Sequence, residues 1–330
     1  MVRIYTHIHT RQPPFATASR THSLTPLSDQ NANCEDPVRI QIMSDLHLQF
    51  HLRPASGAPS GPGYDVFDFP AAAPNLALLG NIGIAAQAGL FDFFHKQLKR
   101  FERVFFLMGN HEGYNSSYVC PNPILHHIAF PNMHSQDSAR AKVAMFQRWL
   151  YERRQQGDEL GEFIFLNRTR YDINTRVTIL GCTLWSYIPT SHAADLMRAG
   201  LSDFKRVSDW TPEDYRAAHM ADVDWLNETS RLIRETEPER QIMIFTHHGP
   251  TTRGILKSEH ENNELSCAFV TEMSLHPCWA KPPLKMWAFG HTQKCVDFLR
   301  DGVRVVSNQR GNEGFEAARS EFQPGKVVTI

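Results

Sequence analysis

The sequence predicts a layered α/β fold, and three observations support this prediction. Short apolar runs of strand length recur along the chain. They alternate with longer stretches in which apolar residues repeat at helical spacing, a pattern typical of α/β proteins. The 330 residues, 42% of them apolar, are enough for one large domain or two small ones, and we expect one globular unit.

The first half of the chain contains three predicted strands and one predicted helix. The strands are Val38–Met43, Leu76–Leu79 and Arg103–Met108, and the helix Leu90–Phe101 lies between the last two. The segment Pro54–Gly63 is rich in Pro, Gly and Ser, and it is predicted to be an exposed loop between the first two strands. The predicted order is therefore β-loop-β-α-β.

The second half adds one long predicted helix and four predicted strands. The helix spans Pro212–Arg234. The strands are Val177–Leu180, Gln241–Phe245, Leu284–Phe289 and Val303–Val306. The intervals 51–74, 113–135 and 247–283 are predicted to be long loops, and loops at strand ends are where functional residues are commonly found.

Charge and cysteine content limit the classes of partner and compartment. The 34 basic and 35 acidic side chains nearly cancel, so neither a nucleic acid nor a membrane is an expected partner. The six cysteines are scattered without a CxxC pair, as expected of reduced thiols in an intracellular protein. We expect a cytoplasmic protein with a disordered N-terminal extension at 1–37 and a folded domain at 38–330. The basic, acid-free composition of residues 1–28 leaves a mitochondrial transit peptide as an alternative.

Five short motifs with side chains of metal-binding type follow predicted strands in order. The motifs are S-D-L-H-L, G-N, G-N-H-E, T-H-H-G-P and G-H-T-Q. Their candidate site residues are Asp45, His47, Asn81, Asn110, His111, His247 and His291. Ligands of α/β sheets bind beyond the carboxyl ends of the strands, so we expect these side chains to converge in one site. His248 is expected to support that site from behind.

This order of motifs resembles the signature of the calcineurin-like metallophosphoesterases, which is D-x-H, G-D, G-N-H-E/D, a lone His and G-H-x-H. The resemblance covers roughly residues 38 to 312. Three further segments, I-L-G-C-T-L-W-S, D-F-K-R-V-S-D-W-T and V-S-N-Q-R-G, look similar to one fungal-type branch of that family. The resemblance implies a four-layer α/β/β/α sandwich of two mixed sheets packed face to face, with the site at one end.

The resemblance also implies two divalent metal ions. Carried over by position, the metal-binding residues are Asp45, His47, Asn81, Asn110, His247 and His291. Asp45 and His47 would belong to the first metal, and Asn110, His247 and His291 to the second. The position of Asn81 would bridge the two ions.

The catalytic roles implied by the resemblance fall on His111 and Asp45. The family reaction is an in-line attack on phosphorus by a metal-bound hydroxide. His111 would protonate the leaving oxygen, and Glu112 or Asp45 would orient its imidazole. Arg310 is expected either to meet a phosphate, for which its guanidinium offers a bidentate fork, or to form a structural salt bridge.

Two positions depart from the family pattern. Asn81 stands where the bridging aspartate is expected, and its amide offers one neutral oxygen in place of a carboxylate. Gln293 stands where the second histidine of G-H-x-H is expected. Without the bridging charge, two divalent ions about 3.5 Å apart repel by an energy on the order of 10 kcal/mol or more at an effective dielectric constant of about 20. Asp65 and Asp297 are the acids considered as replacements.

The expected cofactor is therefore one or two divalent ions, with manganese, zinc or iron as candidates. Three neutral ligands at the second position suit zinc, iron or nickel more than magnesium or calcium. The expected function is a metal-dependent phosphoesterase-like hydrolase, impaired or repurposed, that acts on a small-molecule phosphate monoester or diester. Two alternatives stay open: a non-catalytic module that binds a protein partner, and a mononuclear metal enzyme with a non-phosphate substrate in secondary metabolism.

Overall fold

The computed structural model describes residues 36–52, 61–117, 138–257, 261, 263–311 and 321–330. The predicted N-terminal extension lies outside the described residues except for its last two positions. Most of the predicted loop Pro54–Gly63 also lies outside them, and the end of this segment forms a short strand and the start of a helix.

The described residues form fifteen strands and six α-helices, with several strands following one another directly. The strands are β1 (Arg39–Met43), β2 (His51–Leu52), β3 (Gly61–Pro62), β4 (Asn75–Leu79), β5 (Arg103–Leu107), β6 (Ser116–Ser117), β7 (Glu162–Phe165), β8 (Thr169–Asp172), β9 (Val177–Gly181), β10 (Val207–Ser208), β11 (Gln241–Phe245), β12 (Leu284–Phe289), β13 (Val296–Arg300), β14 (Val303–Ser307) and β15 (Val327–Thr329). The helices are α1 (Gly63–Val66), α2 (Ala88–Leu98), α3 (Ala139–Gln155), α4 (Ser191–Gly200), α5 (Asp203–Arg206) and α6 (Pro212–Thr236). None of these helices is long and apolar enough to cross a membrane.

The longer strands build two mixed sheets. The first sheet has the order β15-β1-β4-β5-β7. Its strands β1, β4, β5 and β7 are parallel to one another, and β15 is antiparallel to β1. The second sheet has the order β13-β14-β12-β11-β9-β8, with parallel strands from β14 to β9 and an antiparallel strand at each edge. Because parallel strands end on the same side, the loops that follow the central strands of each sheet lie together.

The two sheets pack face to face, and helices cover their outer faces. The core between the sheets includes Ile42, Leu79 and Phe105 from the first sheet and Ile179, Met243 and Phe245 from the second. Phe94 of α2 and Val143 of α3 pack on the first sheet, and Leu226 of α6 packs in the core on the outer side of the second. The predicted four-layer α/β/β/α sandwich is therefore confirmed.

The central strands were predictable because they are buried on both faces. Every residue of β4 and β9 is buried, which produces the continuous apolar runs that mark parallel strands covered by helices. The seven predicted strands agree with β1, β4, β5, β9, β11, β12 and β14 to within one residue at each end. The start of α6 is fixed by a capping box between Thr211 and Asp214, with Pro212 at the first helical position.

The peripheral elements have weak sequence patterns and were not predicted. In α3, a helix of 17 residues, only Ala139, Val143 and Leu150 are buried, so its apolar periodicity is weak. Each residue of the edge strand β13 is half-buried or exposed. Such an element has little of the hydrophobic pattern on which the prediction of strands depends.

We predict that Phe105→Ala lowers the free energy of unfolding by about 3–5 kcal/mol, because this side chain fills the space between the sheets. Phe105 is 0% exposed and its ring lies 5.2 Å from that of Tyr171. Urea denaturation measures the change. The control Leu299→Ala, at a side chain that is 73% exposed, should change stability by less than about 0.5 kcal/mol. Equal losses in the two variants would contradict the assigned core.

Candidate active site

The loops after β1, β4, β5, β11 and β12 meet at one end of the two sheets, and we call the space between them the cleft. Its defining residues are Asp45, His47, Asn81, Asn110, His111, His247, His291 and Gln293. The ring centroids of His47 and His111 lie 4.6 Å apart, and those of His247 and His291 lie 4.8 Å apart. Asn110 Oδ1, in the loop after β5 of the first sheet, lies 3.3 Å from His247 Nε2, in the loop after β11 of the second sheet. The structure thus brings together all seven residues that the motifs singled out.

The backbone at the cleft is strained in a way that aims side chains inward. Five non-glycine residues of the cleft have φ between 50° and 70°, in the left-handed region: Asp45, His47, Asn81, His291 and Gln293. Such conformations cost about 1–3 kcal/mol each and concentrate at functional sites. Their clustering in one cleft favours a binding or catalytic role over a purely structural one.

Glycines in the motifs allow the strand ends to approach closely. A Cβ atom at Gly80, where φ is +85°, would lie 2.5 Å from His247 Nδ1. A Cβ atom at Gly109 would lie 2.6 Å from His247 Nε2. Both positions therefore require glycine so that the imidazole of His247 can enter the cleft between β4 and β5.

Asp45 is 0% exposed, and four donors surround its carboxylate. Oδ2 accepts hydrogen bonds from Ser44 Oγ at 2.7 Å and from the backbone N–H of His291 at 2.9 Å. Oδ1 accepts from Gln293 Nε2 at 3.1 Å and from Asn81 Nδ2 at 3.2 Å. Burial raises the pKa of Asp45 to about 6, and the four hydrogen bonds oppose that rise.

The side-chain amide of Asn81 has a defined orientation. Its Oδ1 accepts the backbone N–H of His111 at 2.9 Å. Because a backbone N–H can only donate, the other end of the amide must be the Nδ2 group. Nδ2 donates to Asp45 Oδ1 at 3.2 Å and to Asn110 Oδ1 at 2.9 Å. Asn81 therefore places hydrogens, not lone pairs, between these two residues.

Asn110 and His247 face each other with acceptor atoms. Asn110 Nδ2 donates to the buried carboxylate of Asp203 at 2.8 Å, which fixes Oδ1 toward His247. His247 Nδ1 lies 2.8 Å from the carbonyl oxygen of Leu79 and must carry the proton, so its Nε2 has a lone pair. Burial lowers the pKa of His247 to about 4, and the ring is neutral at pH 7. The 3.3 Å contact between Asn110 Oδ1 and His247 Nε2 therefore has no proton between the two atoms.

His47 is a buried imidazole whose two ring nitrogens have no hydrogen-bond partner. It is 1% exposed, and its Nε2 lies 3.9 Å from Asp45 Oδ1. Gln293 Oε1 also has no partner. Buried polar atoms are normally satisfied, so these atoms are available to a ligand in the cleft.

His111 lies half-buried at the mouth of the cleft. Its ring stacks on Tyr114 with centroids 4.3 Å apart, and Gln49 Nε2 lies 3.3 Å from its Nδ1. With Nδ1 accepting from Gln49, the proton of the neutral ring is on Nε2. Burial, followed by the electrostatic effects of the neighbouring His247 ring and the Arg206 guanidinium, lowers the pKa of His111 to about 3.

The expectation that Glu112 or Asp45 orients His111 is wrong, because Gln49 is the side chain that contacts Nδ1. The carboxylate of Glu112 instead accepts four backbone N–H groups. They belong to Asn81, Ile82, Gly83 and Gly109, at 2.7–3.3 Å. Burial raises the pKa of Glu112 to about 7, and the four N–H groups oppose that rise. Glu112 therefore joins the loop after β4 to the loop after β5.

His291 and His248 lie side by side at the back of the cleft, with ring centroids 4.1 Å apart. His291 also stacks on Phe269 at 5.0 Å. His248 Nδ1 lies 2.9 Å from Ser186 Oγ, deep in the protein, in agreement with its expected supporting place. Burial lowers the pKa of both histidines well below the ordinary value.

The other charged candidates lie elsewhere. Arg310 Nη1 donates to the carbonyl oxygen of Leu46 at 2.9 Å, next to the cleft. Neither acid proposed as a replacement bridge lies in the cleft. Asp297 pairs with Arg304 at 2.8 Å and with Lys326 at 3.2 Å, and Asp65 is an exposed residue of α1.

Sequence reasoning missed three contributors to the site: Gln49, Tyr114 and Asp203. Tyr114 Oη donates to Asp203 Oδ1 at 2.7 Å, and the same carboxylate oxygen holds Asn110. Asp203 is 93 positions away from Asn110 in the chain, in the short helix α5. It is the first residue of the segment D-F-K-R-V-S-D-W-T, which carried no expected site role. Its identification requires the packing of α5 against the loop after β5.

The two metal positions implied by the motifs differ in how well the residues fit a cation. Among the described residues, no group of three or more His, Cys, Asp or Glu side chains is arranged to hold a metal ion. At the first position, Asp45 is surrounded by donors and Gln293 turns an N–H toward it, so the residues do not fit. At the second position, Asn110 and His247 turn lone pairs toward each other, so the residues fit a cation with an amide oxygen as one ligand.

The family model described as calcineurin-like phosphoesterase matches residues 38–295 of the chain. The chain is 22% identical over 302 residues to Uncharacterized protein L509 of Acanthamoeba polyphaga mimivirus, covering 88% of this chain and 96% of that protein. A crystal structure of the phosphopantetheinyl hydrolase PptH from Mycobacterium tuberculosis is similar with a TM-score of 0.56 and 14% identity, covering 89% of this chain and 96% of that one. At this identity the likeness concerns the fold alone.

We predict that Glu112→Gln lowers the free energy of unfolding by about 2–4 kcal/mol, because the new amide group faces backbone N–H donors and leaves them unpaired. Thermal or urea denaturation measures the loss. Glu239→Gln, at an exposed position, is the matched control and should have almost no effect. A stability of Glu112→Gln equal to that of the control would show that the four backbone hydrogen bonds do not hold the loops.

Proposed function

The chain belongs to the calcineurin-like phosphoesterase family, and on this premise we propose that it is a phosphoester hydrolase that uses one divalent cation. Asn110, His247 and His291 would hold this cation. The proposed substrate is a phosphate monoester or diester of a small molecule. Family membership supports a metallophosphoesterase-type hydrolase, and the fungal-type branch stays a prediction.

The contact between Asn110 Oδ1 and His247 Nε2 is the observation that carries this proposal. Two lone pairs 3.3 Å apart repel each other unless a cation lies close to both. Both groups are held from behind, Asn110 by Asp203 and His247 by the Leu79 carbonyl, so neither is positioned by chance. The ring of His291, 4.8 Å from that of His247, would supply a third neutral ligand.

A donor set of two imidazoles and one amide oxygen suits zinc, iron or nickel. A cation bound there would act as a Lewis acid that polarises a phosphoryl oxygen. A substrate bound in the cleft would have His111 and His47, whose ring centroids lie 4.6 Å apart, among its neighbours. The remaining chemistry belongs to residues of the chain.

His111 is the residue proposed to act on the leaving group. Its Nε2–H points away from the Gln49 contact and can donate to the leaving oxygen. The lowered pKa means that His111 is neutral before substrate binds, and the negative charge of a bound phosphate opposes that lowering. Arg206 and Arg310 act on His111 and His47 through their positive charge, which favours an anionic substrate at this mouth.

We predict that His247→Ala loses both the bound cation and at least about 99% of phosphodiesterase activity, because one of three ligands is removed. Plasma mass spectrometry after incubation with manganese, zinc and iron measures the cation, and hydrolysis of bis(p-nitrophenyl) phosphate measures activity. His192→Ala, at an exposed position of α4, is the control and should keep both. Wild-type protein that binds no cation and hydrolyses no phosphoester would contradict the proposal and favour a binding module.

For His111→Ala we expect phosphodiesterase activity to fall while the bound cation stays. The cation content should stay at one equivalent per chain, while kcat falls about 100-fold or more and KM changes little, because the lost group acts on the leaving oxygen. Steady-state kinetics on the same substrate gives both constants. A variant with unchanged kcat, or one that loses its cation, would contradict the role assigned to His111.

A further inference from the structure

We infer that Asp45 is not a metal ligand in this protein but a positioning residue, and that two amide N–H groups stand in the place of the first cation. Asp45 lies in the half of the cleft that the proposed cation site does not use, and the hydrogen bonds around its carboxylate have a defined direction.

The carboxylate of Asp45 has no lone pair left for a cation. Each carboxylate oxygen offers about two acceptor sites. Oδ1 is occupied by the amides of Asn81 and Gln293, and Oδ2 by Ser44 Oγ and the backbone N–H of His291. A cation bound to Asp45 would have to displace one of these four donors.

The two amides come from the positions at which the family pattern places metal ligands. The orientation of Asn81 is fixed by the backbone N–H of His111. Gln293 is held by its own backbone N–H, which donates to Gln309 Oε1 at 2.6 Å, while Gln309 Nε2 donates to Thr292 Oγ1 at 2.9 Å. Both amides thus present hydrogens to Asp45, since turning either one around would set its oxygen against the carboxylate and lose a hydrogen bond.

The amide of Asn81 also joins the two halves of the cleft. Its Nδ2 donates to Asp45 Oδ1 and to Asn110 Oδ1, which belong to the first and second metal positions of the family pattern. A bridging carboxylate would join two cations by donating a lone pair to each. Here one NH₂ group joins two acceptors by donating to both, and it supplies the partners that a buried carboxylate requires.

A cation at the first position would find only neutral donors. Among the described residues of this half of the cleft, His47 and Gln293 Oε1 have unpartnered atoms. Neither carries a negative charge, and the charge of Asp45 is already shared among four hydrogen bonds. The donors present therefore favour an empty first position over a second divalent ion.

Asp45→Asn tests the inference by separating metal content from stability. The variant should keep the cation content of the wild type, while its Tm falls by at least about 4 °C, because the new amide turns an NH₂ group toward one pair of donors. The fall should be the same in protein treated with EDTA. Loss of the cation from Asp45→Asn, or a fall in Tm that disappears in EDTA, would overturn the inference.

Gln293→Ala is the alternative test if Asp45→Asn does not fold, because it removes a single hydrogen-bond donor to Asp45. It should lower Tm by about 1–3 °C without changing the cation content. The double variant Asn81→Asp with Gln293→His should bind one cation more than the wild type. Its Tm should rise by several degrees when manganese is added, since without a cation the carboxylate introduced at position 81 faces that of Asp45.

Asn115→Asp, at an exposed position, is the matched control and should show no such rise. Two cations in the wild type would overturn the inference. If the wild type binds no cation and Asp45→Asn still loses stability in EDTA, the proposed cation site is overturned, whereas the role inferred for Asp45 is kept.

Discussion

The backbone N–H of His111 donates to Asn81 Oδ1, and this single hydrogen bond sets the chemistry of the whole cleft. It turns the NH₂ group of Asn81 toward Asp45 and Asn110, and so decides which lone pairs stay available. The lone pairs of Asp45 accept hydrogen bonds, whereas one lone pair of Asn110 Oδ1 is directed at His247 Nε2. One half of the cleft is therefore closed by hydrogen bonds and the other half is open to a cation.

The fold makes this arrangement possible by bringing the carboxyl ends of two parallel sets of strands to one edge. The backbone N–H of His291, on the second sheet, donates to Asp45 on the first. Glu112 holds the loops after β4 and β5 together through four backbone hydrogen bonds, and Asp203 holds Asn110 from α5. The strained, left-handed residues of the cleft are tolerated because the two packed sheets and these buried carboxylates fix them from several sides.

The sequence was sufficient for the central strands and the convergence of the motif residues, because these depend on apolar runs and on the direction of parallel strands. The layer order was implied by the resemblance of the motifs to the family signature. The sequence was not sufficient for α3 or the edge strands, whose apolar pattern is weak. It also missed Asp203 and Gln49, which reach the site by packing. The substitutions at Asn81 and Gln293 were visible in the sequence, but the direction in which each amide points depends on backbone donors that only the structure places.

The position of a bound cation tests this account most directly. Crystals of the wild-type protein grown with manganese or zinc, with diffraction recorded at the absorption edge of that metal, would show each cation as an anomalous peak. We predict one peak, in contact with Asn110 Oδ1 and His247 Nε2, with Asp45 still hydrogen-bonded to Asn81 and Gln293. A peak in contact with Asp45 and His47, alone or as one of a pair, would contradict it.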